Sequence, residues 1–160
     1  MENNNQNKKS INHSRTVISQ VMMPNHANSA GNVHGGEVVK IMDNTAYVVA
    51  RKHAHHNIVT ARIDELQFHL PIYVGNLITC RGKLVFVGKS SMEIYVKVEV
   101  EDLDNENSPK TALTAYFTMV ALNKNDNPVQ VPGLRLKSDK EKKAYDEGKK
   151  RYKNYKNENM

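Results

Sequence analysis

Asp43 is the residue of this chain best placed to do chemistry. It stands four residues after Val39 and three before Ala46. On a helix it therefore borders the apolar stripe of Val39, Met42, Ala46 and Val49. A carboxylate there is costly to bury unless it is paired, and burial among chosen neighbours is how a protein tunes a carboxylate to take up or release a proton. The competing reading is an aspartate at the stripe's edge that reaches water or caps a neighbouring strand. Gly35 and Gly36 precede it at the helix start. The first N–H groups of a helix lack intrahelical partners, and two residues without side chains let a ligand approach them. Donors so placed suit a carbonyl that develops negative charge; a turn that simply starts the helix explains the same pair. Asn32 either orients a water or carbonyl or serves as a cap or turn residue. His34 offers at least its backbone amide.

Other reactive residue types carry less. His53, His55 and His56 fall near the end of the helix, where they suit its dipole. No Cys or carboxylate beside them completes a zinc set, so no metal is expected. No Ser-His-Asp order or nucleophile elbow occurs. Cys80 alternates with core positions and reads as a buried, inert thiol.

The elements that must position these groups follow from periodicity. Thr16–Val21 reads as a strand closed by Pro24, and the Gly- and Asn-rich stretch 25–36 as a loop. Glu37–His53 is the long helix of the front half. Its β-branched residues make it depend on tertiary burial rather than on intrinsic propensity. Ile58–Phe68 is a strand, and 71–76 a turn. The next strand puts Ile78, Cys80, Gly82, Leu84 and Phe86 on one face, Arg81 and Lys83 on the other. Met92–Glu101 alternates cleanly after the turn 88–91, and Ala112–Leu122 is a final strand. Short turns between the late strands make the sheet antiparallel.

A chain of 160 residues, 39% hydrophobic and 25% charged, fits one domain with tails. Residues 1–13 are Asn-rich and polar and are expected to be disordered. The domain is expected over 14–136, and 137–160 as a charged helical or flexible tail, with Tyr145, Tyr152 and Tyr155 as a weak apolar stripe. A single cysteine suits a reducing, cytoplasmic setting. Neither a leader pattern nor a membrane-spanning run is visible in the sequence. The formal net charge of +6 comes largely from the lysine-rich tail. Without zinc-finger spacing or an RNA-binding signature, nucleic acid is not an expected partner.

Taken together, Gly31-Asn32-Val33-His34-Gly35-Gly36, the following helix with Asp43, Val59-Thr60-Ala61, Asp64, Phe68, Pro71, Val74, Gly75 and the turn Val87-Gly88-Lys89-Ser90-Ser91 resemble the acyl-CoA hydrolases of the hotdog fold. The resemblance covers roughly residues 15–136, and Pro132 with the lysine-rich tail is similar to a subset of bacterial members. It implies an α+β fold, an antiparallel sheet wrapped around the long helix. It also implies homo-oligomers, dimers commonly assembled into hexamers, with the site at the dimer interface. By that resemblance Asp43 is general base or nucleophile, and Asn32 of the facing subunit assists. His34, Gly35 and Gly36 polarise the thioester. Thr60, Ala61, Arg62, Lys89, Ser90 and Ser91 contact CoA, with Arg62 and Lys89 facing its phosphates. No cofactor beyond CoA itself is implied. Two other readings stand beside hydrolysis: a dehydratase of acyl carrier chains that recruits His34, and an acyl-CoA sensor that does not need Asp43. Tyr47, Tyr73, Phe68 and Met42 are candidate pocket walls.

Overall fold

The computed structural model describes residues 7–158. Its strands and helices are β1 (Lys9–Ser10), α1 (Ile11–Ser14), β2 (Thr16–Val21), α2 (Gly35–Ala54), β3 (Asn57–Phe68), β4 (Leu77–Val87), β5 (Ser91–Glu101), β6 (Lys110–Leu122), β7 (Leu134–Arg135) and α3 (Asp139–Glu158). Five strands form one antiparallel sheet in the order β2-β4-β5-β6-β3. The short β1 and β7 pair in parallel beside it. Among the described residues no helix is long and apolar enough to cross a membrane.

The sheet wraps α2, which touches all five of its strands. Val38, Met42, Thr45, Ala46, Val49 and Ala50 of the helix are buried, so tertiary burial is what holds this β-branched segment helical. Gly82 allows the close approach: a Cβ there would lie 2.9 Å from Thr45 Cγ2 and 3.1 Å from Val49 Cγ2. Cys80 sits in the same core, fully buried, and burial pushes its thiol up to about 12. Such a thiol is no nucleophile near neutral pH.

Two expectations are corrected. Residues 7–13 belong to the fold rather than to a disordered tail: Lys9 and Ser10 pair with Leu134 and Arg135, and Ile11 is 3% exposed. One isoleucine in a polar stretch suffices because a complete partner surface already exists for it. Residues 1–6 of that expected tail lie outside the described residues. Phe86 does not share the face of Leu84. The register of β4 against β5 shifts between Leu84 and Phe86, and this bulge turns Phe86 to the outer face of the sheet.

That outer face receives α3. Ring centroids of Tyr145 and Tyr152 lie 5.0 and 5.4 Å from that of Phe86. Gly148 is buried against Phe86, where a Cβ would come within 2.7 Å of the Phe86 Cβ. Arg151 donates to Glu93 at 2.6 Å and stacks over Tyr116 at 3.8 Å. Burial pushes the Glu93 carboxyl up, against the opposing hydrogen bond and charge of Arg151. The tail is therefore a docked helix.

His53 sits at the other end of α2, fully buried. Its Nε2 is 2.7 Å from the Pro132 carbonyl oxygen, so Nε2 carries the proton and donates. Nδ1 is buried without a partner among the described residues. Burial lowers the pKa of this imidazole from its ordinary 6.5; Lys9, His13 and His55 lower it further, against the Pro132 hydrogen bond. The unfolded chain therefore takes up this proton first. Stability from His53 is fully present above about pH 6.5 and falls as pH drops through that value toward the lower folded pKa. Thermal midpoints measured between about pH 7.5 and pH 5.5 should decline more steeply for the native chain than for His53→Gln, because only the former titrates there.

Candidate active site at the free edge of the sheet

Among the described residues no strand lies beside β3 on the side away from β6. Val59, Ile63 and Phe68 along it are 42%, 39% and 58% exposed. An edge with free N–H and C=O groups and exposed apolar side chains is a template for pairing with another chain. Asp43 projects from α2 toward this edge, partly buried. Its Oδ1 accepts the hydroxyl of Thr60 at 2.7 Å. That bond fixes the carboxylate while leaving its second oxygen for another partner.

A bulge follows Thr60 immediately: Thr60 pairs with Met119 and Arg62 with Thr118, so Ala61 is extra. In a regular strand residues two apart share a face. Here Thr60 turns to α2 and Arg62 to the outer face. Arg62 binds Asp64 through Nε at 2.8 Å, reaches Glu158 at 3.3 Å and stacks over Tyr155 at 3.6 Å. Arg62 therefore lies on the opposite side of the strand from Thr60.

The glycines behave differently from each other. A Cβ on Gly35 would lie 2.8 Å from the Phe68 ring, whereas one on Gly36 would meet nothing within 4 Å. Gly35 is needed for packing; Gly36 opens the helix N-terminus to space. His34 takes the N-cap position without a side-chain cap bond. Its carbonyl accepts the N–H of Glu37 at 3.0 Å, which leaves the N–H groups of Gly35 and Gly36 facing outward. Gly36 and Asp43 are seven residues apart and share a helix face, roughly 10.5 Å apart along the axis. One small carbonyl cannot touch both within a single copy.

The loop before α2 is ordered by Asn28, a residue that motif and spacing alone do not single out. Its Oδ1 accepts the N–H groups of Ala30 at 2.9 Å and Asn32 at 3.2 Å, leaving its amide NH2 to donate elsewhere. Both bonds are the pattern by which Asn builds turns, and an Asn ahead of Ser-Ala-Gly-Asn is the signal that was there to find. Asn32 is half-buried and bridges to Tyr73 through the backbone. Lys89 is exposed, and Ser91 Oγ is buried without a partner among the described residues. Ser91 pairs with Val120, which pairs with Val59, so the 88–91 turn lies two strands, roughly 10 Å, from Thr60. A cavity of about 730 Å³ opens beside that turn, lined in part by Lys8, Lys9, His56, Gly88 and Gln130; Asp43 is not in its wall. Of the candidate wall residues, Phe68, Tyr47 and Tyr73 are exposed and Met42 is fully buried. Among the described residues no group of three or more His, Cys, Asp or Glu is poised to hold a metal ion.

Comparison with known proteins gives this geometry its context. The Thioesterase superfamily model matches residues 30–106. The rat cytosolic acyl coenzyme A thioester hydrolase is 38% identical over 143 residues, 89% of this chain. The chain spans only 38% of the length of that relative. An acyl-CoA hydrolase from Staphylococcus aureus, solved with butyryl coenzyme A, coenzyme A and coenzyme A disulfide, superposes with a TM-score of 0.86 at 31% identity, covering 95% of this chain and 92% of that one. Structures of its variants with Asp43, Thr60 or Asn28 changed to alanine, in that protein's own numbering, are similar as well. A hexameric acyl-CoA thioesterase superposes with a TM-score of 0.88 at 29% identity, covering 96% and 97% of the two chains.

Proposed function

The chain belongs to the thioesterase superfamily, and from that premise we propose that it hydrolyses acyl-CoA to a carboxylic acid and CoA in the cytoplasm, with Asp43 as the working carboxylate. The observation that carries the proposal is the Thr60–Asp43 hydrogen bond of 2.7 Å at the free sheet edge. It orients a carboxylate at a surface built to meet a second copy. The variant set of the Staphylococcus aureus enzyme supports the assignment: this chain has Asp43, Thr60 and Asn28 at the same three numbers.

In this mechanism the thioester carbonyl carbon is attacked by water, and Asp43 takes the water's proton. The carbonyl electrons move onto oxygen, where N–H groups at the α2 N-terminus stabilise them. The C–S bond then breaks and CoA leaves as its thiol, protonated from Asp43. Because Gly36 and Asp43 of one copy are too far apart to share a carbonyl, the donors come from a second copy across β3. Asn28 or Asn32 of that copy assists. A homo-oligomer, dimers assembled into a hexamer, is part of the proposal. Lys89 and the outer turn meet the CoA phosphates.

Thiol release from a panel of acyl-CoA esters of increasing chain length tests this reading and reports its chain preference. Turnover that rises with enzyme concentration supports it; a folded, CoA-binding protein that releases no thiol from any ester sinks it and leaves a sensor. Thr60→Val keeps the side-chain shape and removes the donated hydrogen bond. Its kcat/KM should fall about tenfold or more, the worth of one hydrogen bond to a charged group, with an unchanged thermal midpoint.

A further inference from the structure

Away from the α2 side, the outer face of β2, β4 and β5 carries an arrangement that solubility does not call for. Val17 pairs with Arg81 and Arg81 with Lys97, while Lys83 pairs with Tyr95. Arg15, one residue before Thr16, continues the next rung beside Lys83. Four cations thus share a six-residue block across three strands. Like charges directly opposite each other in a sheet are destabilising, yet Arg81 and Lys97 are register partners. Among the described residues the carboxylates nearby are already committed. Glu99 accepts from Arg81 at 2.8 Å and lies 3.6 Å from Lys97. Glu141 accepts the N–H of Lys137 at 2.7 Å as it caps α3. Arg15 donates to Asn12, and Lys83 has no ion-pair partner among the described residues. Burial and the charges of Arg15, Lys140 and Lys97 lower the pKa of Lys83, with Glu141 opposing.

The block is also concave. One hollow of about 150 Å³ is bordered by Arg15, Arg81, Lys83 and Lys97 over the Tyr95 ring. A second, of about 230 Å³, lies toward α3 between Arg15, Lys83, Lys140 and the capping Glu141. The two share Arg15 and Lys83. We propose that this double hollow binds a small anion bearing at least two phosphoryl groups, one in each hollow, with Lys83 and Arg15 between them. Such an anion would neutralise the half-buried ammonium of Lys83 and supply the acceptors that the surrounding carboxylates do not. Arg15 and Arg81 can each grip a phosphoryl group through two N–H donors. The site is separate from the Thr60 edge, which lies at the opposite end of the sheet order.

Calorimetric titration of the full chain with inorganic tripolyphosphate tests the proposal, repeated in Lys89→Gln so that phosphate affinity at the turn assigned to CoA is weakened. Binding should persist in Lys89→Gln and weaken as salt is raised. It should also weaken about tenfold or more in Lys83→Met and, independently, in Arg15→Gln, an exposed position where folding is not at issue. CoA affinity of both variants should be unchanged. Loss of tripolyphosphate binding in Lys89→Gln would overturn the proposal, as would equal affinity in native protein and Arg15→Gln.

Discussion

Asp43→Asn should lower kcat by about 10²- to 10⁴-fold, the span expected when a positioned general base is removed. Asparagine nearly matches aspartate in shape, and its carbonyl still accepts the Thr60 hydroxyl. It carries no charge and no proton affinity in the working range. The loss should therefore fall on kcat, while the Kd for CoA and the thermal midpoint stay near those of the native chain. Stopped assays of thiol release, beside calorimetry with CoA, separate these quantities. A variant that keeps native turnover would remove Asp43 from the mechanism. Single turnover in ¹⁸O-labelled water adds the route: label within the Asp43 carboxylate marks a mixed anhydride, and label only in the released acid fits water attack.

The second large effect concerns stability. Arg151→Met leaves the Glu93 carboxylate, 3% exposed, without the guanidinium 2.6 Å away. Breaking a buried ion pair by removing one partner costs about 3–5 kcal/mol. The sign with pH follows from Glu93. Burial already raises its pKa, and loss of Arg151 raises it further. A carboxyl whose folded pKa exceeds its unfolded value destabilises the fold above that folded pKa, and the penalty disappears as pH falls through it. Urea unfolding should thus show the largest gap between variant and native chain near neutral pH and a narrowing gap on acidification. The double variant with Glu93→Gln should recover much of the loss at neutral pH. If Arg151→Met is as stable as the native chain, α3 is held by Phe86, Tyr145 and Tyr152 alone.

Much of the fold is legible in the sequence because period and burial agree. The apolar stripe through Val39, Met42, Ala46 and Val49 lies along α2, and Asp43 stands out as the carboxylate at its border. The antiparallel order follows from the short turns after β4 and β5. What escapes are departures from period two. The bulges at Ala61 and Val85 each insert one residue, and the side chains beyond them, Arg62 and Phe86, change face. No propensity encodes a bulge unless a glycine or proline marks it, and neither position has one. Asn28 escapes for another reason: in a loop of polar residues its role lies in two backbone hydrogen bonds, which composition does not distinguish. Ile11 escapes because one apolar residue sets no pattern; its burial depends on a surface assembled from distant segments.

That last arrangement bears on how the protein is made. Lys9 pairs with Leu134 and Ser10 with Arg135, and the Lys9 ammonium binds the His53 carbonyl at 2.8 Å. A ribosome delivers the N-terminal segment first, yet its sheet partner is synthesised more than a hundred residues later. Domains generally fold as units, and here the first strand of the unit is paired only by its last. Until β7 emerges, Lys9 and Ser10 lack their strand partner on the nascent chain, and closure of this pair follows translation of nearly the entire domain. A synthesis intermediate stalled before residue 134 should accordingly be sensitive to protease at 7–14, where the released chain is protected.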